Sequence, residues 1–462
     1  MVSKDSGVEN MVDILPVLML VLLAVLLFSG LPVAVLLTGL GIGFSLIGVA
    51  IGEMPAIALF NIPLRLYGAV SGSMIYPAVV MLLFMGVALE KSGIARDLLL
   101  CLKMILRRVP AGLAVAVTLL GIVLAPAAGL VGASVVTLAL IALPTMLSEG
   151  YRPSLAAGSV AAAGTVGIIL PPAVMLFFLA GQFNVSIGHM FLATLLPGAI
   201  LVGLYLVYYV GTGLIDPPRG AAEDEAGPQT VGQWAGFLTR GLVLPVGLVS
   251  LVLGSIIFAW ATPPQSGAVG AAGGLVLMVV NRRFSWRLFR EVAESTALMV
   301  AMVFFIIIAA VVFSYPFRYF GGDDVIAGAL AGLDMGAWGT LVFIVGIIFV
   351  LGFFIDWIEI TVITLPLFAP VLASLDFSAH AGDGPTAMLW IATLVALTLQ
   401  TSFLTPPFGF ALFFLKGAAP PGISLIDIYR GIVPIVLAQI IGITLLLALP
   451  AIATWLPAQV FD

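Results

Sequence analysis

Two carboxylates, Asp356 and Glu359, stand alone in an otherwise apolar stretch from residue 337 to 374. An ionisable group at membrane depth is expensive to hold and belongs by default to an ion, proton or substrate pathway. The spacing fits a second chemistry as well. Asp356-Trp357-Ile358-Glu359 has the D-x-x-E form of a helix cap, which a helix starting there would use regardless of transport. Hydroxyls supply the other candidates. Ser134 and Thr137 follow a kinked centre, Ala125-Pro126-Ala127-Ala128-Gly129-Leu130-Val131-Gly132-Ala133, in a region without an ionisable side chain between Val109 and Glu149. Thr165 precedes Pro171-Pro172, and Thr401, Ser402 and Thr405 precede Pro406-Pro407. Paired prolines remove two backbone donors and disfavour helix at the preceding residue. Each such place is a broken helix or a hairpin tip. Unwound carbonyls and half-helix C-termini there can coordinate a cation, and half-helix N-termini offer N–H groups to an anion. A set made of carbonyls and hydroxyls suits a hard monovalent cation such as sodium better than a transition metal. The competing reading of Ser134 and Thr137 is that they are small residues for helix packing.

Composition says what must position these groups. Of 462 residues 62% are apolar and 8% charged, against about 25% charged in a soluble domain. There is too little polar surface to cover a soluble fold, so the chain is read as an all-α polytopic membrane protein. Apolar runs long enough to span lie near 14–29, 31–50, 74–89, 190–212, 237–260, 264–280, 296–314 and 430–455, and the regions 110–148, 153–183 and 337–418 are apolar but interrupted.

The chain also reads as duplicated. Residues 164–179 resemble 400–415 across the proline pairs, and a long apolar helix follows each. The first half is expected over 1–213, with scaffold spans in 14–89, an arm at 52–73, a re-entrant hairpin at 110–148, a broken helix at 153–183 and a span at 190–212. A polar, acidic, Pro/Gly-rich linker covers 214–236. The second half, 237–462, has scaffold spans in 237–314, an arm at 283–295, a hairpin at 337–374, a broken helix at 387–418 and a span at 430–455. In this trace nearly all Lys and Arg fall on one side, the other receiving Lys4, Arg65 and Arg318. The rich side is cytoplasmic, so the repeat is inverted and both termini lie outside. Inverted repeats with discontinuous helices mark secondary transporters.

Other functions find little support. One cysteine, Cys101, and two histidines, His189 and His380, leave no disulfide framework and almost nothing for a zinc site. Lys416 reads as an anchor at the cytoplasmic side. The basic amphipathic stretches 94–108 and 282–290 suit helices lying at the lipid bilayer surface, and no nucleic-acid role is expected. No nucleotide-binding loop or hydrolase motif occurs, which excludes energy from ATP in this chain. Asn184-Val185-Ser186 is read as a chance sequon.

At the two proline-pair motifs the sequence resembles the large membrane subunit of the tripartite ATP-independent periplasmic (TRAP) transporters, a DctM-like chain, over essentially its whole length. Gly164–Pro172, Gly132-Ala133-Ser134, the Asp356 tip and Leu404-Thr405-Pro406-Pro407-Phe408-Gly409 carry the resemblance together. Residues 403–420 look most like the branch labelled mannitol/chloroaromatic. The resemblance implies sodium-driven import of an organic acid across a bacterial inner membrane by an elevator motion. It implies two partners, a periplasmic substrate-binding (P) subunit and a small four-helix membrane (Q) subunit. The latter is expected as a separate chain, since no four-helix segment precedes residue 14. Carried over, one Na+ site would use Gly132, Ser134, Thr165 and Gly167, and the other Asp356, Thr361, Thr401 and Thr405. Substrate contacts would come from Ser134, Thr137, Pro172, Asp356 and Pro407, with the choice between the half-helix N-termini at Pro172 and Pro407 left open. Ala173 stands where many members have Ser, and Thr137 where some have an acid, which bears on substrate identity. The alternative is a stand-alone sodium- or proton-coupled organic anion carrier of the same fold. A membrane-embedded enzyme would need an acidic cluster or catalytic constellation that two isolated acids do not supply, so no enzyme activity is expected. A channel would not require paired broken helices.

Overall fold

Backbone in lipid must satisfy its own hydrogen bonds, and the apolar runs of this chain accordingly become helices. The computed structural model describes every residue except 1–5, 74, 125, 127–130, 219–229, 407–408 and 462, and the described residues contain no strand. The first helices are α1 (Ser6–Leu27) and α2 (Val33–Ala50), followed by a 3-10 turn (Ala56–Phe60), α3 (Asn61–Ser71), α4 (Ile75–Lys91) and α5 (Ile94–Ile105). Then come α6 (Gly112–Val123), α7 (Val131–Ser148), α8 (Pro153–Val166), α9 (Val174–Gln182) and α10 (Ile187–Ile215). Beyond the linker, α11 (Val231–Leu238) passes through a π turn (Thr239–Val243) into α12 (Leu244–Ile257), and α13 (Pro263–Val280) leads to α14 (Trp286–Tyr319). Next are α15 (Gly322–Gly332), α16 (Gly336–Leu351), the single turn α17 (Trp357–Glu359), a π turn (Ile360–Thr364), α18 (Leu365–Ser374) and α19 (Ser378–Ala381). The chain closes with α20 (Gly384–Leu404), α21 (Phe410–Ala418), α22 (Leu425–Ala448) and α23 (Ala451–Phe461). Among the described residues nine helices are long and apolar enough to cross a membrane.

Side chains start several of these helices by accepting orphan backbone N–H groups. Ser186 caps α10, Ser285 caps α14, Asp383 caps α20, and Ser424 with Asp427 closes a capping box on α22.

The separate arm expected over 283–295 does not form. Ser285 caps a helix that runs unbroken to Tyr319, because no Gly or Pro interrupts residues 286–315. Residues 56–71 behave differently and lie at 54° to α4, beside the Ser71-Gly72-Ser73 stretch. The span expected over 430–455 also divides, α22 ending before Leu449-Pro450 and α23 starting anew.

The helices pack in two groups. One holds α1, α2, α4, α12, α13 and α14, and the other holds α6, α7, α8, α10, α16, α20 and α22. In the second group α8 and α22 cross with their backbones in contact. A methyl on Gly158 would meet the carbonyl oxygen of Gly431, and a methyl on Gly431 would meet the carbonyl oxygen of Ser154.

Polar pairs gather at the two ends of the bundle. At the basic end Arg283 donates to Ser92 O (2.8 Å) and pairs with Asp97 (2.7 Å), tying the α4–α5 turn to the α13–α14 loop. Lys103 pairs with Glu149 at 2.8 Å, and Arg152 pairs with Asp216. At the opposite end Tyr315 donates to Ala58 O (2.8 Å), and Trp390 donates to Leu446 O (2.8 Å). The ion pairs at the basic end are partly exposed and add about 1 kcal/mol or less each, so they fix connections more than they stabilise the bundle.

Candidate functional site

Between α8 and α9 the chain is non-helical over residues 167–173, and every one of them is buried. Irregular backbone at membrane depth survives only where protein or a watery cavity surrounds it, so this segment is held inside the second packing group. Gly167 and Pro172 lie within it. Thr165, on the last turn of α8, is fully buried and donates its hydroxyl to Ala161 O and Ala162 O, each at 3.2 Å. Its proton is therefore used inside its own helix, and its oxygen remains an acceptor.

The facing element is the start of α7. Gly129, at the beginning of the expected tip, lies outside the described residues. Gly132 is buried and Ser134 half-buried. A methyl on Gly164 would sit 2.5 Å from Val135 Cγ2, and one on Gly132 would sit 2.8 Å from the Phe414 ring of α21. The turns carrying Gly132 and Ser134 are thus brought against both the end of α8 and α21. Thr137 is engaged elsewhere. Its hydroxyl donates to Glu90 Oε1 on α4 at 2.7 Å, a carboxylate that the sequence reading did not include. Replacing Thr137 by Val would leave this half-buried carboxylate without that donor, at about 1–3 kcal/mol. The expected readout is a lower thermal midpoint in detergent, with Thr137→Ser close to wild type.

In the second half, Asp356 is 6% exposed, and its Oδ1 accepts from Trp357 N at 2.7 Å. Asp356 takes the N-cap position that the D-x-x-E spacing offers, bonding the first N–H of the helix rather than the third, and the carboxylate stands at the N-terminal, electropositive end of the following helical turns. Glu359 closes the same turn, half-buried, and its Oε2 has no partner among the described residues. Thr361 lies in the π turn, fully buried, with its hydroxyl also unpartnered among the described residues. Such π turns recur at functional sites because they break the regular ladder.

Across from this tip, Thr401 donates to Leu397 O and Thr405 to Thr401 O, both at 2.8 Å. A methyl on Gly352, just before the tip, would collide with the Ser402 hydroxyl. The approach to Asp356 therefore rests on the segment carrying Thr401 and Thr405. Pro407 lies outside the described residues.

The two breaks are cross-braced. The second limb of each broken helix leaves its own hairpin and packs on the other. Phe178 of α9 meets Trp357 edge-on at 5.4 Å, and Phe414 of α21 covers Gly132. From Phe178 the aromatic contacts continue to Tyr76 of α4 at 5.9 Å and on to Phe304 of α14 at 5.3 Å. What this arrangement offers chemically is buried hydroxyl, carboxylate and backbone oxygen, and helix ends aimed inward.

Comparison with known proteins settles the family. Residues 20–452 match the family described as tripartite ATP-independent periplasmic transporter, DctM component. The chain belongs to the DctM family. Among its relatives are the ectoine/5-hydroxyectoine TRAP transporter large permease UehC of Ruegeria pomeroyi, 26% identical over 69% of this chain and 71% of that one. The C4-dicarboxylate TRAP transporter large permease DctM of Pseudomonas aeruginosa is 26% identical over 82% and 85%. The isethionate TRAP transporter permease DctMQ of Oleidesulfovibrio alaskensis is 26% identical over 98% of this chain and 66% of that longer protein. Two solved structures share the fold. The YdaH transporter of Alcanivorax borkumensis aligns with TM-score 0.59 at 16% identity, covering 92% of this chain and 98% of that one. MtrF of Neisseria gonorrhoeae aligns with TM-score 0.53 at 14% identity, covering 97% of each. This DctM chain is therefore a transport permease and not an enzyme, and with its apolar helices it is a multi-pass inner-membrane protein.

Proposed function

We propose that this chain is the large transmembrane subunit of a system that imports an organic acid, handed over by a periplasmic binding subunit and driven by a sodium gradient. The observation that carries this reading is the cross-braced pair of breaks. Two hairpins and two broken helices converge with buried oxygens, and each half supplies one limb to the other's site. We read the two halves as an inverted repeat with both termini periplasmic. The hairpins and broken helices form a block that moves as an elevator against a scaffold containing α2, α4, α13 and α14.

Sodium is written here as a transported ion. At the first site Gly132, Ser134, Thr165 and Gly167 would offer hydroxyl and backbone oxygens. At the second, Asp356, Thr361, Thr401 and Thr405 would do so. The fully buried Thr361 hydroxyl, unpartnered among the described residues, supports the second assignment, since an oxygen held without a partner at that depth costs about 1–3 kcal/mol unless something occupies it. The substrate carboxylate would meet a half-helix N-terminus at Pro172 or Pro407, near Ser134 and Asp356. Thr137, bonded to Glu90, is less free to serve the substrate than Ser134. The names of the relatives, which include ectoine, C4-dicarboxylate and isethionate permeases, support a small polar organic substrate. A small membrane subunit would complete the system.

The test is uptake of labelled organic acids into proteoliposomes holding the chain with its small subunit, with and without binding protein and an inward sodium gradient. Uptake that needs both is the expected result. Sodium-driven uptake without binding protein would point to a stand-alone carrier, and uptake driven only by protons would remove the sodium assignment.

A further inference from the structure

At the basic end, the end of α5, the start of α6, the α7–α8 turn and the end of α10 enclose a groove of about 350 Å³. A second cavity of about 340 Å³ shares Tyr151, Pro217 and Pro218 with it. The acids here are engaged, Glu149 by Lys103 and Asp216 by Arg152. Arg107 and Arg108 are exposed at the mouth of the groove, and neither pairs with an acid among the described residues. Deeper in lies Tyr151, 6% exposed, whose hydroxyl accepts from Leu113 N at 3.1 Å. Its own proton finds no acceptor among the described residues. Burial pushes this phenol up to about 12, so it stays a donor at neutral pH. The groove thus presents two guanidinium groups and one buried hydroxyl donor, with no free carboxylate opposing them among the described residues.

Guanidinium groups match the oxygens of a phosphate, often in pairs of parallel bonds. The remaining walls, Leu106, Val109, Pro110 and Leu113, are apolar, which suits a headgroup still attached to its lipid better than a free ion. The position suits it too. The apolar face of α5, Leu98, Leu99 and Leu102, is buried against the protein, leaving the basic face at the level where membrane helices end. Basic pockets between helices on the cytoplasmic side of a membrane, where the proposed orientation puts this end, hold anionic headgroups. We propose that the groove binds the phosphodiester headgroup of an anionic phospholipid, with Arg107 and Arg108 on the phosphate and Tyr151 donating to it.

The experiment is native mass spectrometry of the full chain in detergent, with phosphatidylglycerol or phosphatidylcholine added, or with inorganic phosphate as competitor. Phosphatidylglycerol adducts are expected on the wild type and roughly tenfold fewer on R107Q/R108Q, given the strength of basic side chains near a lipid surface. R107K/R108K should fall between, keeping charge without the paired geometry. R287Q/R290Q is the control, because those arginines already pair with Glu291 and Glu294 on α14. Its adducts should match wild type. Equal loss in both Gln pairs, equal retention of phosphatidylcholine, or displacement of all lipid by millimolar phosphate would each overturn the proposal.

Discussion

Asp356→Asn is expected to lose sodium-coupled uptake and to keep its fold. Asp and Asn are equivalent helix caps, whereas Ala in their place costs about 1 kcal/mol. The cap bond, Oδ1 to Trp357 N at 2.7 Å, survives in Asn, so thermal stability should change little. What Asn removes is the charge. A bond to a charged group is worth about 1.5–3 kcal/mol, and 1.4 kcal/mol is tenfold in affinity. The half-saturation for sodium should therefore rise about ten- to a hundredfold in proteoliposomes. Asp356→Ala should show the same transport loss together with a lower thermal midpoint. Wild-type sodium dependence in the Asn variant, with only Ala impaired, would make Asp356 a cap and nothing more.

Gly431→Ala is expected to destabilise the chain strongly, although Ala is the better helix former by about 1 kcal/mol. The reason is the α8–α22 crossing, where the added methyl meets the backbone of Ser154 and Gly158 rather than the movable end of a side chain. Overpacking of a tight contact costs about 1–3 kcal/mol, occasionally more, and backbone cannot rotate away. Gly442→Ala, on the same helix, is the internal control. A methyl there finds only Leu201 Cδ1 at 3.9 Å, an ordinary contact, so this variant should match or exceed wild type. Thermal unfolding of both in one detergent gives the comparison. Equal midpoints would mean that α8 and α22 can separate without consequence.

Much of this was legible because membranes enforce simple rules. Apolar run length marked the spans, and the proline pairs marked where helix had to stop, as at residues 167–173. The D-x-x-E spacing of Asp356 and Glu359 announced a cap, and Asp356 does hold the N-cap position, although its bond goes to the first N–H of the helix and not the third. Failures came where a boundary depends on what is missing. The arm at 283–295 was expected from its place in the second half and its basic amphipathic character, yet only the stretch at 52–73 carries a Ser-Gly-Ser break, and α14 runs on. Glu90 was not among the candidates because it lies just beyond the apolar run 74–89. Its bond to Thr137 is a contact between residues 47 apart in sequence, which no local pattern encodes. The exchange of limbs between the two breaks was hidden for the same reason, since Phe178 and Phe414 look like any other apolar residues of a span.

That exchange has a consequence in time. A ribosome completes α9 long before Trp357 exists, and completes α7 long before Phe414. During synthesis the first hairpin and first broken helix must wait in the bilayer with faces that only residues from the second half can cover. Contacts this distant in sequence form late, and domains that await a partner are the ones that misassemble. The finished site is thus an end product of the whole chain, and a polypeptide released before residue 337 would carry half of each pair and complete neither.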